Sequence, residues 1–370
     1  MSENTSPRQQ QGSRQLRVIA DNTANSRLTI PDRIKGFPDL RYMGGKRRLL
    51  PWIHEILSQL DFNTALDPFC GTGCVSYLMK SMGKRVVATD FLNFSATVAK
   101  ATIENNRHIL DGPAIKQLMS DPAHPRDFIQ RTFDGIFYTA PDRAFLDRVS
   151  ANIETLDHPH KQAVARAALI RSCLKRQPRG VFTVSGDLQR YDDGRRDLRL
   201  SLEEHFLEQI EVFNQVVFDN GQRNIARQRD IFEGRPRNID LVYLDPPYVP
   251  RSDDNCYVKR YHFLEGLSCY WEGMDIDYST KVHKIPKKYT PFSYRRSAID
   301  AFDQMFSKFR RSKIVLSYSS NGFPDLEILE RLLGQYKSQV ITYRKPHRYH
   351  FGTHSNVNRS QVDEYLIVGI

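Results

Sequence analysis

Two short segments carry residues that can do chemistry together. In Asp245-Pro246-Pro247-Tyr248 a carboxylate, two proline-locked backbone units and an aromatic ring follow one another directly. Consecutive prolines donate no backbone N–H and hold the chain extended, so the tetrad presents a carboxylate, a rigid carbonyl and a ring face as one cluster. An amino group on a planar base needs those three things. The carboxylate and the carbonyl accept its two N–H bonds, and the ring stacks on the base. The plain alternative is a surface turn capping a strand, since Asp-Pro and Pro-Pro are ordinary turn signals. In the second segment, Asp67-Pro68-Phe69-Cys70-Gly71-Thr72-Gly73, the glycines at 71 and 73 permit positive φ and let a ligand approach the backbone with no Cβ in the way. Asp90, seventeen positions beyond Gly73, stands where one carboxylate can take two hydrogen bonds from a ribose diol. A tight strand-to-helix turn without a ligand is the competing reading. The GxGxxG spacing of a dinucleotide loop is absent. So is a Gly-Lys-Ser/Thr triphosphate loop, because Gly45-Lys46 and Gly83-Lys84 are both followed by Arg. Asp67 at the head of the turn suits a cationic ligand better than a phosphate.

Both segments need strands to position them. Thr64-Ala65-Leu66 runs into the glycine turn, CVSYLMKSM follows with helical apolar spacing, and Arg85-Val86-Val87-Ala88-Thr89 ends in Asp90. This βαβ unit predicts a parallel sheet with buried strands. The apolar run Ile239–Leu244 ends at the tetrad, at the carboxyl edge where α/β sheets place their ligands. Further strands are expected at Lys313–Tyr318, Val340–Tyr343 and Tyr365–Gly369. Ahead of the first strand, Leu49, Trp52, Ile53, Ile56, Leu57 and Leu60 form one face of a helix. The fold class expected is α/β: a Rossmann-like domain with a mostly parallel sheet, interrupted by a mainly helical insertion. The expected boundaries are a flexible basic arm over 1–35, a catalytic domain over 36–105 and 223–370, and the insertion over 106–222.

Composition narrows the class of partner. The 370 residues carry 54 Lys+Arg against 43 Asp+Glu, a formal charge of +11, and 40% are hydrophobic, enough to bury a core. Excess positive charge points to a polyanion such as nucleic acid. It is unevenly spread, since residues 161–199 hold ten Lys and Arg against four Asp, a net of +6. A mean hydropathy of −0.54 and the lack of a long apolar run argue against a membrane span. The start MSENTSPRQQQGSRQ has no apolar leader region, and five cysteines without paired CxxC spacing suit free thiols, so a cytoplasmic location is expected. His347, His350 and His354 lack a metal-ligand spacing, and no metal is expected.

The order Arg41-Tyr42-Met43-Gly44-Gly45-Lys46, then D-P-F-C-G-T-G, then Asp90, then D-P-P-Y resembles the Dam-like (α-group) N6-adenine DNA methyltransferases, of the restriction-modification type. The resemblance covers roughly 40–105 and 224–370. Arg229-Asp230-Ile231-Phe232 and the strand Ile314–Tyr318 with Ser319-Ser320-Asn321 support it. The family often has Trp where this chain has Tyr42 and Ala where it has Met43. The resemblance implies S-adenosylmethionine as cofactor. By that resemblance Tyr42, Gly44, Gly45 and Lys46 close over the cofactor, and Asp67, Phe69, Cys70, Gly71 and Gly73 border its methionine part. Asp90 with Phe91 holds the ribose, and Asp230 and Ile231 contact the adenine. Asp245, Pro246, Pro247 and Tyr248 are the implied catalytic residues, acting on an adenine flipped out of a specific double-stranded DNA site.

The family keeps its variable target-recognition region where the basic insertion lies. Lys175, Arg176, Arg179, Arg190, Arg195 and Arg196 are therefore candidate DNA contacts, and so are Arg251, Lys259 and Arg260 beside the tetrad, although a solvated charged face is the equal alternative for each. Tyr257, Tyr261, Phe263 and Tyr270 divide evenly between DNA contacts and core. A cognate restriction endonuclease acting on the same site is an expected partner, and the protein is expected to be a monomer or weak dimer. The alternatives are an N4-cytosine or RNA amino-methyltransferase, or a non-catalytic DNA-binding subunit. Asp as the first tetrad residue favours adenine.

Overall fold

A computed structural model describes residues 13–16, 29–178, 180–183, 194–234, 237–250, 256–348 and 361–370. Its strands are β1 (Ser13–Leu16), β2 (Thr64–Asp67), β3 (Arg85–Asp90), β4 (Ile225–Gln228), β5 (Leu241–Leu244), β6 (Val249–Pro250), β7 (Lys313–Ser319), β8 (Gly322–Phe323), β9 (Gln339–Arg348) and β10 (Gln361–Gly369). The chain forms two compact units, one of residues 27–234 with 256–289 and the other of 1–26, 235–255 and 290–370.

In the first unit β2, β3 and β4 are parallel neighbours, with Asp67 opposite Ala88 and Asp90 opposite Gln228. That register brings the carboxyl ends of all three strands to one edge. The helix Cys74–Ser81 follows the glycine turn, and seven of its eight residues, Cys74 to Lys80, are buried. β4 is absent from the sequence expectation because Ile225-Ala226-Arg227-Gln228 has only two apolar residues. Two of its four residues are exposed, and β3 is its partner in this unit.

The unit boundaries differ from those expected, since 106–222 packs in the same unit as the glycine turn. The Tyr77 hydroxyl donates to the Val216 carbonyl at 2.9 Å, and Leu110 N–H donates to Asn214 Oδ1 at 2.9 Å. The long helices Pro159–Arg176 and Leu202–Val216 bury Ala, Leu, Ile and Phe faces. The apolar sides of these elements complete this unit's core, so their charge does not set 106–222 apart as a separate body. Residues 256–289 join it too, with Phe182 N–H donating to the Arg260 carbonyl at 2.8 Å.

The second unit orders its strands β1-β9-β10-β7-β5. β5 runs parallel to β7, whereas β10 lies antiparallel to both β7 and β9. All four residues of β5 are buried, as a strand covered on both faces should be. β1 departs from the expected flexible arm of 1–35, because Ser13 to Leu16 pair in parallel with Gln339 to Thr342 of β9. A polar segment can do this because ladder bonds use the backbone and need no apolar side chain. The rest of that arm, up to residue 28, lies outside the described residues.

Candidate active site

The cofactor-side residues assemble at the carboxyl ends of β2, β3 and β4. Gly71 and Gly73 have φ of +50° and +80°, and Gly73 caps the helix Cys74–Ser81 in the left-handed conformation. A Cβ on Gly71 would lie 3.2 Å from the Tyr42 ring, so the turn and the Y-M-G-G-K segment share a close approach. Asp90 is buried, and its two carboxylate oxygens accept from Gly71 N–H and Leu92 N–H, each at 2.9 Å. Burial raises its pKa to about 7, against those two bonds, which favour the charged form. Each oxygen keeps a second lone pair that a hydroxyl can use. Ser76 Oγ donates to Asp67 Oδ2 at 2.7 Å and orients that carboxylate. Burial pushes the Cys70 thiol well up, so it stays a neutral wall rather than a nucleophile.

Beyond β4, Arg229 N–H donates to the Asp90 backbone carbonyl at 2.8 Å, which brings Asp230 and Ile231 beside the end of β3. Asp230 Oδ1 caps its own turn by accepting from Phe232 N–H at 2.8 Å, while Ile231 is buried. Phe69 and Phe91 are half-buried, and Lys46 is buried.

Tyr42 stacks against two rings of the helix Tyr257–Cys269, with centroids 5.3 Å from Tyr257 and 5.0 Å from Tyr261. The Tyr261 hydroxyl accepts from Met43 N–H at 2.9 Å, and the Tyr257 hydroxyl lies 3.3 Å from where a Gly44 Cβ would stand. Tyr261 and Phe263 are thereby core residues, and Tyr270 is tied by its hydroxyl to Asp147 at 2.6 Å. Sequence reading missed Glu265 on this helix. Fully buried, it accepts from Phe94 N–H at 3.2 Å and pairs with Lys288 at 2.9 Å. A lone Glu inside a helical pattern gives no sign of such a role.

The tetrad belongs to the other unit. Pro246 and Pro247 are buried, and Asp245 and Tyr248 are half-buried. The Tyr248 ring packs on Tyr318 of β7 at 5.3 Å between centroids, with Gly322 of β8 tight behind it. A Cβ at Gly322 would stand 2.8 Å from the Tyr318 hydroxyl and 2.9 Å from Tyr248 Cδ2. The backing of Tyr248 was also illegible in sequence, because Gly322 lies 74 positions away.

The basic candidates fare unevenly. Lys175 pairs with Asp197 at 2.7 Å, and Arg176 pairs with Asp142 at 3.3 Å and donates to the Leu198 carbonyl. These two are spent on internal partners that fasten the helix Pro159–Arg176 to the turn at Arg196–Arg199. Arg195 donates to the Pro178 carbonyl at 2.9 Å, and Arg196 is exposed and paired with Glu208. Lys259 and Arg260 are half-buried on the helix Tyr257–Cys269. Arg179, Arg190 and Arg251 lie outside the described residues.

Glycine turns and carboxylates at the carboxyl ends of parallel strands, with D-P-P-Y closing another such strand, define an α/β methyltransferase acting on an exocyclic amino group. The chain belongs to the D12 class N6 adenine-specific DNA methyltransferases, whose family model matches residues 42–318. Among its relatives, the type II methyltransferase M2.HphI of Haemophilus parahaemolyticus is 30% identical over 85% of this chain and 92% of its own. The modification methylase StsI of Streptococcus sanguinis is 25% identical over 87% of this chain, and the type II methyltransferase M.FokI of Planomicrobium okeanokoites 22% over 88%. The chain spans only 50% and 52% of those two relatives. It is thus an enzyme that methylates the N6 amino group of adenine in DNA, and its family's methyl donor is S-adenosylmethionine. No helix among the described residues is long and apolar enough to cross a membrane.

Proposed function

We propose that the tetrad is the catalytic centre and acts on one adenine flipped out of a specific double-stranded DNA site. The observation that carries this is the seating of D-P-P-Y, which follows the fully buried β5 directly, with both prolines buried and the Tyr248 ring backed by Tyr318. Asp245 and the Pro246 carbonyl accept the two N6 hydrogen bonds, and Tyr248 stacks on the base. Those bonds draw the nitrogen lone pair out of conjugation and stabilise the positive charge that grows on nitrogen. Bound S-adenosylmethionine supplies an already activated methyl group, so the protein's task is alignment and proton acceptance.

The cradle fits that cofactor on its own terms. Gly71 leaves no Cβ beneath Tyr42, Asp90 offers lone pairs to ribose hydroxyls, and Asp67 supplies negative charge toward a cation. Tyr42, Gly44, Gly45 and Lys46 cover this pocket, with Phe69, Cys70, Gly73, Phe91, Asp230 and Ile231 along its walls. Residues 106–222 serve target recognition. Arg195, Arg196, Lys259 and Arg260 are the described basic residues proposed to meet the phosphate backbone. The relatives carry names of modification methylases, and a restriction endonuclease acting on the same site is the proposed partner. The protein works as a monomer or weak dimer in the cytoplasm.

Incubation with labelled S-adenosylmethionine and unmethylated duplex, followed by mass spectrometry of the bases, should yield N6-methyladenine. Asp245→Ala should abolish turnover while cofactor binding persists. Near-normal methylation by that variant would sink the mechanism.

A further inference from the structure

Three imidazoles meet in the first unit, and none is among the individual residues named above for cofactor, base or phosphate contact. His108, His158 and His160 each offer a ring nitrogen, and these nitrogens all lie within 4.8 Å of one another. We propose that they form a binding site for a divalent transition-metal ion of the zinc type, with Glu104 orienting His160 from behind and water completing the coordination.

The rings of His158 and His160 are held by a bond at a position the metal does not need, whereas His108 Nε2 accepts from Arg107 Nε at 3.4 Å. His158 Nδ1 accepts from His160 N–H at 3.1 Å, which leaves Nε2 for the ion. His160 Nε2 meets Glu104 Oε1 at 3.0 Å, and its Nδ1 is buried with no hydrogen-bond partner among the described residues. A histidine whose far nitrogen is held by a carboxylate is the arrangement that fixes the tautomer and raises the basicity of a metal ligand. His108 is pinned through its backbone, since its N–H donates to Asn105 Oδ1 at 2.9 Å and its carbonyl accepts from Asn105 Nδ2 at 2.7 Å. The rings of His108 and His158 lie nearly parallel, 3.5 Å apart, so loading turns one of them about its Cβ–Cγ bond.

Arg107 and Lys161 bring positive charge near the rings. The charge of Lys161 is itself balanced by Asp111 at 3.7 Å and Asp157 at 3.2 Å. Three imidazoles without a thiolate suit zinc, nickel or copper rather than magnesium or calcium. Glu104 closes a π-helical turn, Lys100–Glu104, and its other oxygen accepts from Ala226 N–H of β4 at 2.8 Å. An ion here therefore fastens the turn at 105–108, the start of the helix Pro159–Arg176 and the edge strand β4 together.

The test uses the full-length protein, stripped with chelator and titrated with Zn2+ by calorimetry and with Co2+ by visible absorption. One equivalent should bind with micromolar affinity or better. The cobalt form should show ligand-field bands of a nitrogen and oxygen site and no thiolate charge-transfer band. His108→Gln and His160→Gln should each weaken binding at least about tenfold, and Glu104→Gln, which keeps an acceptor for Ala226 N–H, by roughly 10–100-fold. Should His160→Gln fail to fold, judged by S-adenosylmethionine binding, His108→Gln carries the comparison. Unchanged affinity in the folded variants, a thiolate band, or no binding at micromolar metal would overturn the proposal.

Discussion

Gly322→Ala tests the placement of Tyr248, the ring proposed to stack on the base, without substituting a tetrad residue. No positive φ constrains Gly322, so the backbone accepts alanine and the whole cost lies in contacts. The new methyl would stand 2.8 Å from the Tyr318 hydroxyl and 2.9 Å from Tyr248 Cδ2, both inside van der Waals contact. Tyr318 is held, being 1% exposed with its ring edge-on to Phe302 at 5.8 Å, whereas Tyr248 is half-buried. The ring that yields is therefore Tyr248. Overpacking of this kind costs about 1–3 kcal/mol of stability, and a base-stacking ring displaced by about 1 Å costs up to ~100-fold in rate. Initial rates with labelled cofactor should fall at saturating S-adenosylmethionine, while cofactor affinity is unchanged. A second substitution sharpens the test. The Tyr318 hydroxyl is buried without a hydrogen-bond partner among the described residues, so Tyr318→Phe loses no bond and removes the nearest of three clashing atoms, leaving the ring Cζ and Tyr248 Cδ2, each 2.9 Å away. The double variant should recover part of the lost rate, a coupling that two independent effects would not show. Wild-type rates in Gly322→Ala, or strictly additive losses in the pair, would refute the placement of Tyr248 against Gly322.

Cofactor affinity should depend on pH through Asp90, whose pKa burial raises to about 7. A raised carboxyl favours the folded state at low pH, so its contribution to stability is present below the ordinary carboxylate range and is lost as pH rises through about 7. Cofactor binding runs the other way. If ribose hydroxyls donate to the charged form, only about a tenth of the protein is competent at pH 6, and S-adenosylmethionine should bind up to about tenfold more weakly there than at pH 8. Calorimetry on Asp90→Asn should find weaker binding with that slope removed, and a retained slope would assign it to another group. Lys259→Ala should weaken DNA binding on specific and random duplexes alike and flatten the salt dependence. A change in sequence preference instead would make Lys259 a base-reading residue.

Local chemistry was legible in order along the chain. The βαβ unit around D-P-F-C-G-T-G, the strand running into D-P-P-Y, and the expected strands at 313, 340 and 365 all stand in the structure. Each is written in consecutive residues, because apolar periodicity, paired prolines and glycines needing positive φ act over a few positions. The resemblance to N6-adenine methyltransferases rested on the same short signals, and family membership confirms it. What only the tertiary structure decided is which distant residues meet. Tyr42 lies against Tyr257 and Tyr261, more than two hundred positions away, and Gly322 stands behind Tyr248. Lys175 and Arg176, plausible phosphate contacts by charge alone, turn inward to Asp197 and Asp142, because charge counts take no account of where an opposite charge folds back. His108 met His158 and His160 across fifty residues with no spacing to announce it, in a chain where no metal was expected. A sequence specifies such meetings only through the summed packing of a whole unit, so single-residue types and short spacings reveal the chemistry a segment can do but not the partners that will hold it in place.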